Sequence, residues 1–149
     1  MVAAMAASTV LSMGTPASGA MANQLPTGRG CEASLAVRPS TVILSCADEN
    51  SYFGSLTWAS WGRTADATGQ YLLNSCVPSC AQSTVRSRGV VRVVASDPTM
   101  RGHGRPVFLR LTVTLVARHV TATLRWIWAS SLTAIGYWKG PAGALFRLH

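Results

Sequence analysis

Acidic side chains are scarce in this chain of 149 residues. There are five, against 13 Lys and Arg, for a formal net charge of +8. The five are Glu32, Asp48, Glu49, Asp66 and Asp97. A glycosidase needs two carboxylates facing each other across a cleft. The one adjacent pair, Asp48 and Glu49, points to opposite faces of an extended chain. Asp48 reads better as a turn residue whose carboxylate accepts backbone N–H bonds. Histidine is rarer still, with three residues: His103, His119 and His149. None lies in a recognised motif, and a serine-type hydrolase needs nucleophile, base and orienting acid together. A zinc site needs three or four His, Cys or carboxylate ligands at close spacing. With the thiols oxidised, no such set remains. The sequence therefore points to no catalytic residues, no metal and no cofactor, and the chain is read as not an enzyme.

Other absences narrow the reading further. Lys139 is the only lysine; the remaining basic residues are Arg. That skew fits a GC-rich coding sequence as well as it fits a selected anion-binding surface. A basic protein still attracts acidic polymers and anionic lipid head groups. No stretch shows a capped helical period, no segment repeats, and no linker divides the chain. No apolar run reaches the roughly 20 residues of a transmembrane helix, so no transmembrane segment is expected. No sign of specific nucleic-acid recognition is found.

What is present begins with a leader. "MVAAMAASTVLSM", Met1 to Met13, is apolar and uncharged, and two small-x-small sites follow at Ser18–Ala20 and Ala20–Ala22. Residues 1–22 are read as a signal peptide, with the mature start near Met21 or Asn23. The basic n-region is missing, because no Lys or Arg precedes Arg29. About 125 residues then remain, enough to bury roughly two thirds of the unfolded surface. The expected location is outside the cell or in its envelope.

Four cysteines, Cys31, Cys46, Cys76 and Cys80, in a short exported chain imply two disulfides. Three pairings are possible. Pro78 favours the second place of a β-turn from Val77 to Cys80, which brings Cys76 and Cys80 together. Cys31 and Cys46 are left as the second pair, closing a loop of about 15 residues worth roughly 3 kcal/mol. A redox motif fits less well, since three residues separate Cys76 from Cys80 instead of the usual two.

The chain reads as strands. Ser40–Cys46, "SLTWASWG" (Ser55–Gly62), "GQYLLNSC" from Gly69, and "GVVRVVAS" are short candidates. The clearest is Pro106–Ala117. Val107, Leu109, Leu111, Val113 and Leu115 share one face, and Phe108, Arg110, Thr112, Thr114 and Val116 the other. Short strands separated by Gly, Pro, Asn and Ser predict an all-β fold, a small antiparallel β-sandwich or barrel-like domain. The domain is placed at residues 23–118. In the divergent tail, residues 119–149, Val120, Ala122, Leu124, Trp126 and Trp128 alternate. A last strand turning at Arg118-His119 is one reading; a poorly ordered or frameshifted end is another. Tyr137, Trp138 and Lys139 would suit a membrane interface.

Two stretches remain as candidate sites. "RGHGR", Arg101 to Arg105, offers backbone amides and arginines to a phosphate but lacks the strand-to-helix context of a phosphate loop. Trp58 and Trp61 sit three apart, so in a regular strand they face opposite sides. One ring would fill the core. The other, beside Ser60 and Arg63, would stack on a sugar or anchor a partner. The competing reading puts both rings in the core or against a disulfide.

The motifs Arg38-Pro39, Leu44-Ser45-Cys46-Ala47-Asp48, Asn50, Leu56-Thr57-Trp58 and Trp61-Gly62 are followed by Gly69, Tyr71, Asn74, Cys76, Pro78, Cys80, Ala81 and "PVFLRLTVT". Over Arg38 to Thr114 this pattern resembles a family of small secreted actinobacterial proteins of unknown function. The resemblance implies an exported, disulfide-bearing β domain and no activity. The chain departs from the pattern at Ser75, where members usually carry Asp, and in the more basic segment after Cys80. The expected function is an uncharacterised secreted or cell-envelope protein, a non-enzymatic structural or interaction domain. The alternative is a module binding envelope glycan or anionic polymer, with Trp58, Trp61 and Arg63 as the candidate binding residues.

Overall fold

The computed structural model describes residues 22–27, 34–45, 50–100, 104–128 and 136–140. Among them are nine strands: β1 (Leu25–Pro26), β2 (Leu35–Ala36), β3 (Val42–Ile43), β4 (Ser51–Trp61), β5 (Ala65–Asn74), β6 (Val85–Thr99), β7 (Val107–Leu115), β8 (Val120–Trp128) and β9 (Gly136–Lys139). β3 to β9 form one antiparallel sheet in sequence order, and β1 and β2 pair as a small second sheet. The fold is all-β and antiparallel, a curled half-barrel.

Alternation drives the sheet. Val91, Val93 and Ala95 of β6, Leu111, Val113 and Leu115 of β7, and Ala122, Leu124 and Trp126 of β8 are buried. The residues between them, among them Arg92, Thr112, Thr114, Thr121, Thr123 and Arg125, face outward. Each fully buried Leu, Val or Phe contributes about 1.5–3 kcal/mol by leaving water. The hairpin of β7 and β8 turns where the sequence suggested. A 3₁₀ turn, Val116–Arg118, leads into His119, whose φ of 54° lies in the left-handed region. From the tail, Ala122, Leu124, Trp126 and Trp138 all join the core.

β1 ties the two sides of the curl together. The indole N–H of Trp61, in β4, donates to Asn23 O at 2.9 Å, and that of Trp138, in β9, donates to Pro26 O at 3.3 Å. Three residues of extended chain span roughly 10 Å. Strands lying five places apart in the sheet therefore approach the same short segment, which a flat sheet would not allow. Leu25, between the two anchors, is fully buried.

The strands differ from the expected ones in five places. Of the described residues in the run Ser40–Cys46, only Val42–Ile43 form a strand, although Ser40 O and Leu44 N–H also bond to β4, at Leu56 N–H (3.0 Å) and Ser51 O (2.8 Å). β5 begins at Ala65, so Gly69 lies inside a strand rather than starting one. The hydrogen-bonded turn beside the cysteines runs from Ser79, whose carbonyl accepts from Gln82 and Ser83 N–H, and not from Val77 to Cys80. Phe108, expected on the outer face, is fully buried. Burial along β6 loses its phase at Asp97, whose φ is 62°, and the β6–β7 ladder has no pair between Ser96–Arg110 and Pro98–Phe108. The fifth difference concerns Trp61.

β4 carries two bulges. Its ladder with β5 runs Gly54–Gln70, then Thr57–Thr68, and later Trp58–Ala67, then Ser60–Asp66. Each step inserts one extra residue on β4, and Ser55 at the first has a φ of 53°. An extra residue turns a spacing of three into a shared face. Phe53 and Leu56 thus point inward together, as do Trp58 and Trp61. Their partners on β5 are small: Ala67 lies opposite Trp58 and Ala65 opposite Trp61. Large rings over small residues fill the layer without strain.

The Cys76–Cys80 disulfide is formed, with Cα atoms 3.8 Å apart, and the Val77–Pro78 peptide is cis. Asn74 organises this loop. Its Oδ1 accepts from Cys76 N–H at 3.0 Å, and its Nδ2 donates to Cys80 O at 3.0 Å. The expected Cys31–Cys46 pair lies outside the described residues, as do Asp48, Glu49, most of "RGHGR" and His149.

Candidate functional site

The bulged end of β4 opens on a cleft of about 510 Å³. Trp61 and Arg63 line it together with Asn23, Pro98, Met100 and Pro106. The volume lies within the 300–1,000 Å³ typical of small-molecule sites. Arg63 is its one charged group among the described lining residues.

Trp61 is held from several sides. The Trp58 ring meets it edge-on at 4.6 Å between centroids, with planes at 87°. The Phe108 ring meets it at 5.5 Å and 86°. Its N–H is spent on Asn23 O, so the indole offers the cleft carbon surface rather than a free donor. Asn23 in turn donates from Nδ2 to Gly62 O at 2.7 Å, and Gly62 N–H donates to Thr64 O at 2.9 Å. The turn carrying exposed Arg63 is thereby fastened to β1. A ring fixed this way loses little freedom when a ligand stacks on it.

Of the candidate residues, Trp61 and Arg63 share this cleft. Trp58 does not line it. Its N–H donates to Pro39 O at 2.8 Å, and its ring supports Trp61 from behind. Both tryptophans are half-buried and pack against the core, so neither stands alone at the surface. Asn23, Pro98, Met100 and Pro106 carried no signal in the sequence, because only the fold brings them to β4.

Asp66 of β5 and Arg92 of β6, on the same face and two positions apart in the ladder, form a two-pronged ion pair. That contact holds the Arg92 guanidinium above its usual pKa, chiefly through the hydrogen bond to Asp66 and then through its charge. Tyr71 is fully buried, and loss of water pushes its hydroxyl pKa up to about 12, against a smaller opposing effect of Arg88. Among the described residues, no group of three or more His, Cys, Asp or Glu is placed to hold a metal. No helix among them is long and apolar enough to cross a membrane.

No protein-family model matches the chain, no curated protein matches it, and no solved structure matches it.

Proposed function

We propose that this chain is an exported, non-enzymatic interaction module that binds envelope glycan in the Trp61–Arg63 cleft. The observation that carries the reading is the shared cleft: a rigidly held indole and, among the described lining residues, one guanidinium open on the same space. An apolar ring stacks on the C–H face of a pyranose, and an arginine beside it bonds the ring substituents. The leader-like residues 1–22 and the resemblance to small secreted actinobacterial proteins support export. The Cys76–Cys80 disulfide supports an oxidising compartment.

The test is a tryptophan fluorescence titration with soluble N-acetylglucosamine oligomers. The wild-type protein should show saturable quenching and a blue shift. Arg63→Ala, at an exposed turn position, should fold normally and bind roughly tenfold more weakly, the loss of one charge-assisted hydrogen bond. An unchanged spectrum, or equal binding by Arg63→Ala, counts against the reading.

A further inference from the structure

A second, separate surface lies on the outer face of the sheet. Arg110 of β7 is directly opposite Arg125 of β8, and Arg125 is directly opposite Lys139 of β9. Cross-strand partners share a face, and neighbouring strands lie about 4.8 Å apart. Three cations thus stand in line across roughly 10 Å of one face. Arg125 and Lys139 are exposed and Arg110 is half-buried.

The arrangement is costly on its own. Like charges directly opposite each other destabilise a sheet. Elsewhere on this face the cost is avoided, since Arg92 is closed off by Asp66. The row is different. Asp97 reaches only its end, 3.8 Å from Arg110, and among the described residues no carboxylate pairs with Arg125 or Lys139. Arg110 Nε is buried with no hydrogen-bond partner. On one side the row is flanked by the Thr112–Thr123 pair, and on the other by Ile127 and Tyr137. Hydroxyls beside guanidinium groups suit phosphate oxygens, which arginine binds through two N–H bonds.

We propose that the Arg110–Arg125–Lys139 row binds a linear phosphodiester polymer of the cell exterior. Charge complementarity selects the polyanion, and the row's direction lets one chain run across β7, β8 and β9. The row offers one exposed ring nearby, Tyr137, and not the succession of stacking rings that single-stranded nucleic acid uses. The choice of an extracellular polymer rests on the export reading above; the site itself does not involve the Trp61 cleft.

The experiment measures binding of the full chain to poly(glycerol phosphate), with single-stranded DNA and N-acetylglucosamine oligomers in parallel. Three phosphate contacts on a flexible chain predict an affinity loss of about twentyfold between roughly 50 and 200 mM salt. Arg125→Gln or Lys139→Gln should reduce that loss to about sevenfold, the value for two contacts. The double variant Arg125→Gln/Lys139→Gln should nearly abolish binding while leaving the thermal midpoint unchanged or raised, because it relieves like-charge contacts. Arg92→Gln and Arg63→Ala should bind the polymer as wild type does. Weakened sugar binding by Arg63→Ala with polymer binding intact supports two separate sites. Polymer binding that is absent, that survives the double variant, or that falls equally with Arg92→Gln overturns the proposal. Tighter binding to single-stranded DNA than to poly(glycerol phosphate) overturns it as well, in favour of nucleic acid.

Discussion

Trp58 and Trp61 meet edge to face, their ring centroids 4.6 Å apart, although two residues of strand, Ala59 and Ser60, lie between them. The contact exists because the β4–β5 ladder slips between Trp58 and Ser60. It fixes the indole that lines the cleft. A double-mutant cycle with Trp58→Ala and Trp61→Ala should therefore return a coupling of about 1 kcal/mol, as edge-to-face pairs do. Denaturant midpoints of the two single variants and the double variant measure it. A coupling near zero would mean that the rings lie on opposite faces.

Gly69 should resist substitution for a reason specific to the first bulge. A Cβ there would lie 2.7 Å from Gly54 O and 2.8 Å from Leu56 Cδ2. Backbone stands on one side and a core side chain on the other, so neither gives way cheaply. Gly69→Ala should cost about 2 kcal/mol. Gly62→Ala is the matched control, since its Cβ would meet nothing nearer than Thr64 O at 4.0 Å. Its effect should stay within about 0.5 kcal/mol. Urea unfolding of both variants checks the contrast.

These two features mark what the sequence could and could not disclose. The all-β class, the long alternation of Val107–Leu115 and the return through His119 were legible, because period-two burial is written residue by residue. The bulges were not. An extra residue at Ser55 or beside Ala59 exists only relative to a partner strand, so "SLTWASW" reads as a regular strand and sends Trp61 to the wrong face. Phe108 was misplaced for a different reason: the chain at Gln24 runs beside the start of β7 and the Trp61 ring packs on Phe108, so both Val107 and Phe108 are buried. β1 and β2 have two residues each, too few to carry a period. For the cleft, Trp61 and Arg63 were visible as an aromatic beside a cation. Asn23, Pro98 and Met100 were not, because their approach depends on how the sheet curls.

Stability should fall at high pH through Tyr71. Its hydroxyl is raised to about 12 by burial, while in the unfolded chain it titrates near 10. Above pH 10 the unfolded state binds fewer protons than the folded state, so the unfolding free energy falls as pH rises towards 12. The stabilisation is complete below pH 10. Denaturant midpoints measured from pH 9 to 12 should drop across that window, and less steeply in Tyr71→Phe. Identical slopes would assign the alkaline loss to other groups.

The Cys76–Cys80 bridge should contribute measurably despite its short loop. Replacing both residues by Ser should lower stability by roughly 2 kcal/mol on the chain-entropy account. Protein recovered from culture medium should show no free thiol at these positions in non-reducing mass spectrometry. Its mature start should lie near Met21 or Asn23. Reduced thiols there, or retention of the chain in the cytosol, would contradict the proposal of an exported, oxidised scaffold.

The most direct measurement is a nitrogen–proton NMR titration of the indole N–H signals with N-acetylglucosamine oligomers. The chain has five tryptophans, each with its own signal. The Trp61 signal should shift in a saturable way, with a smaller shift at Trp58, which supports it, and none at Trp138, which is buried against Pro26. If all five signals stay in place at millimolar oligomer, or if Trp138 moves and Trp61 does not, the cleft is not a glycan site.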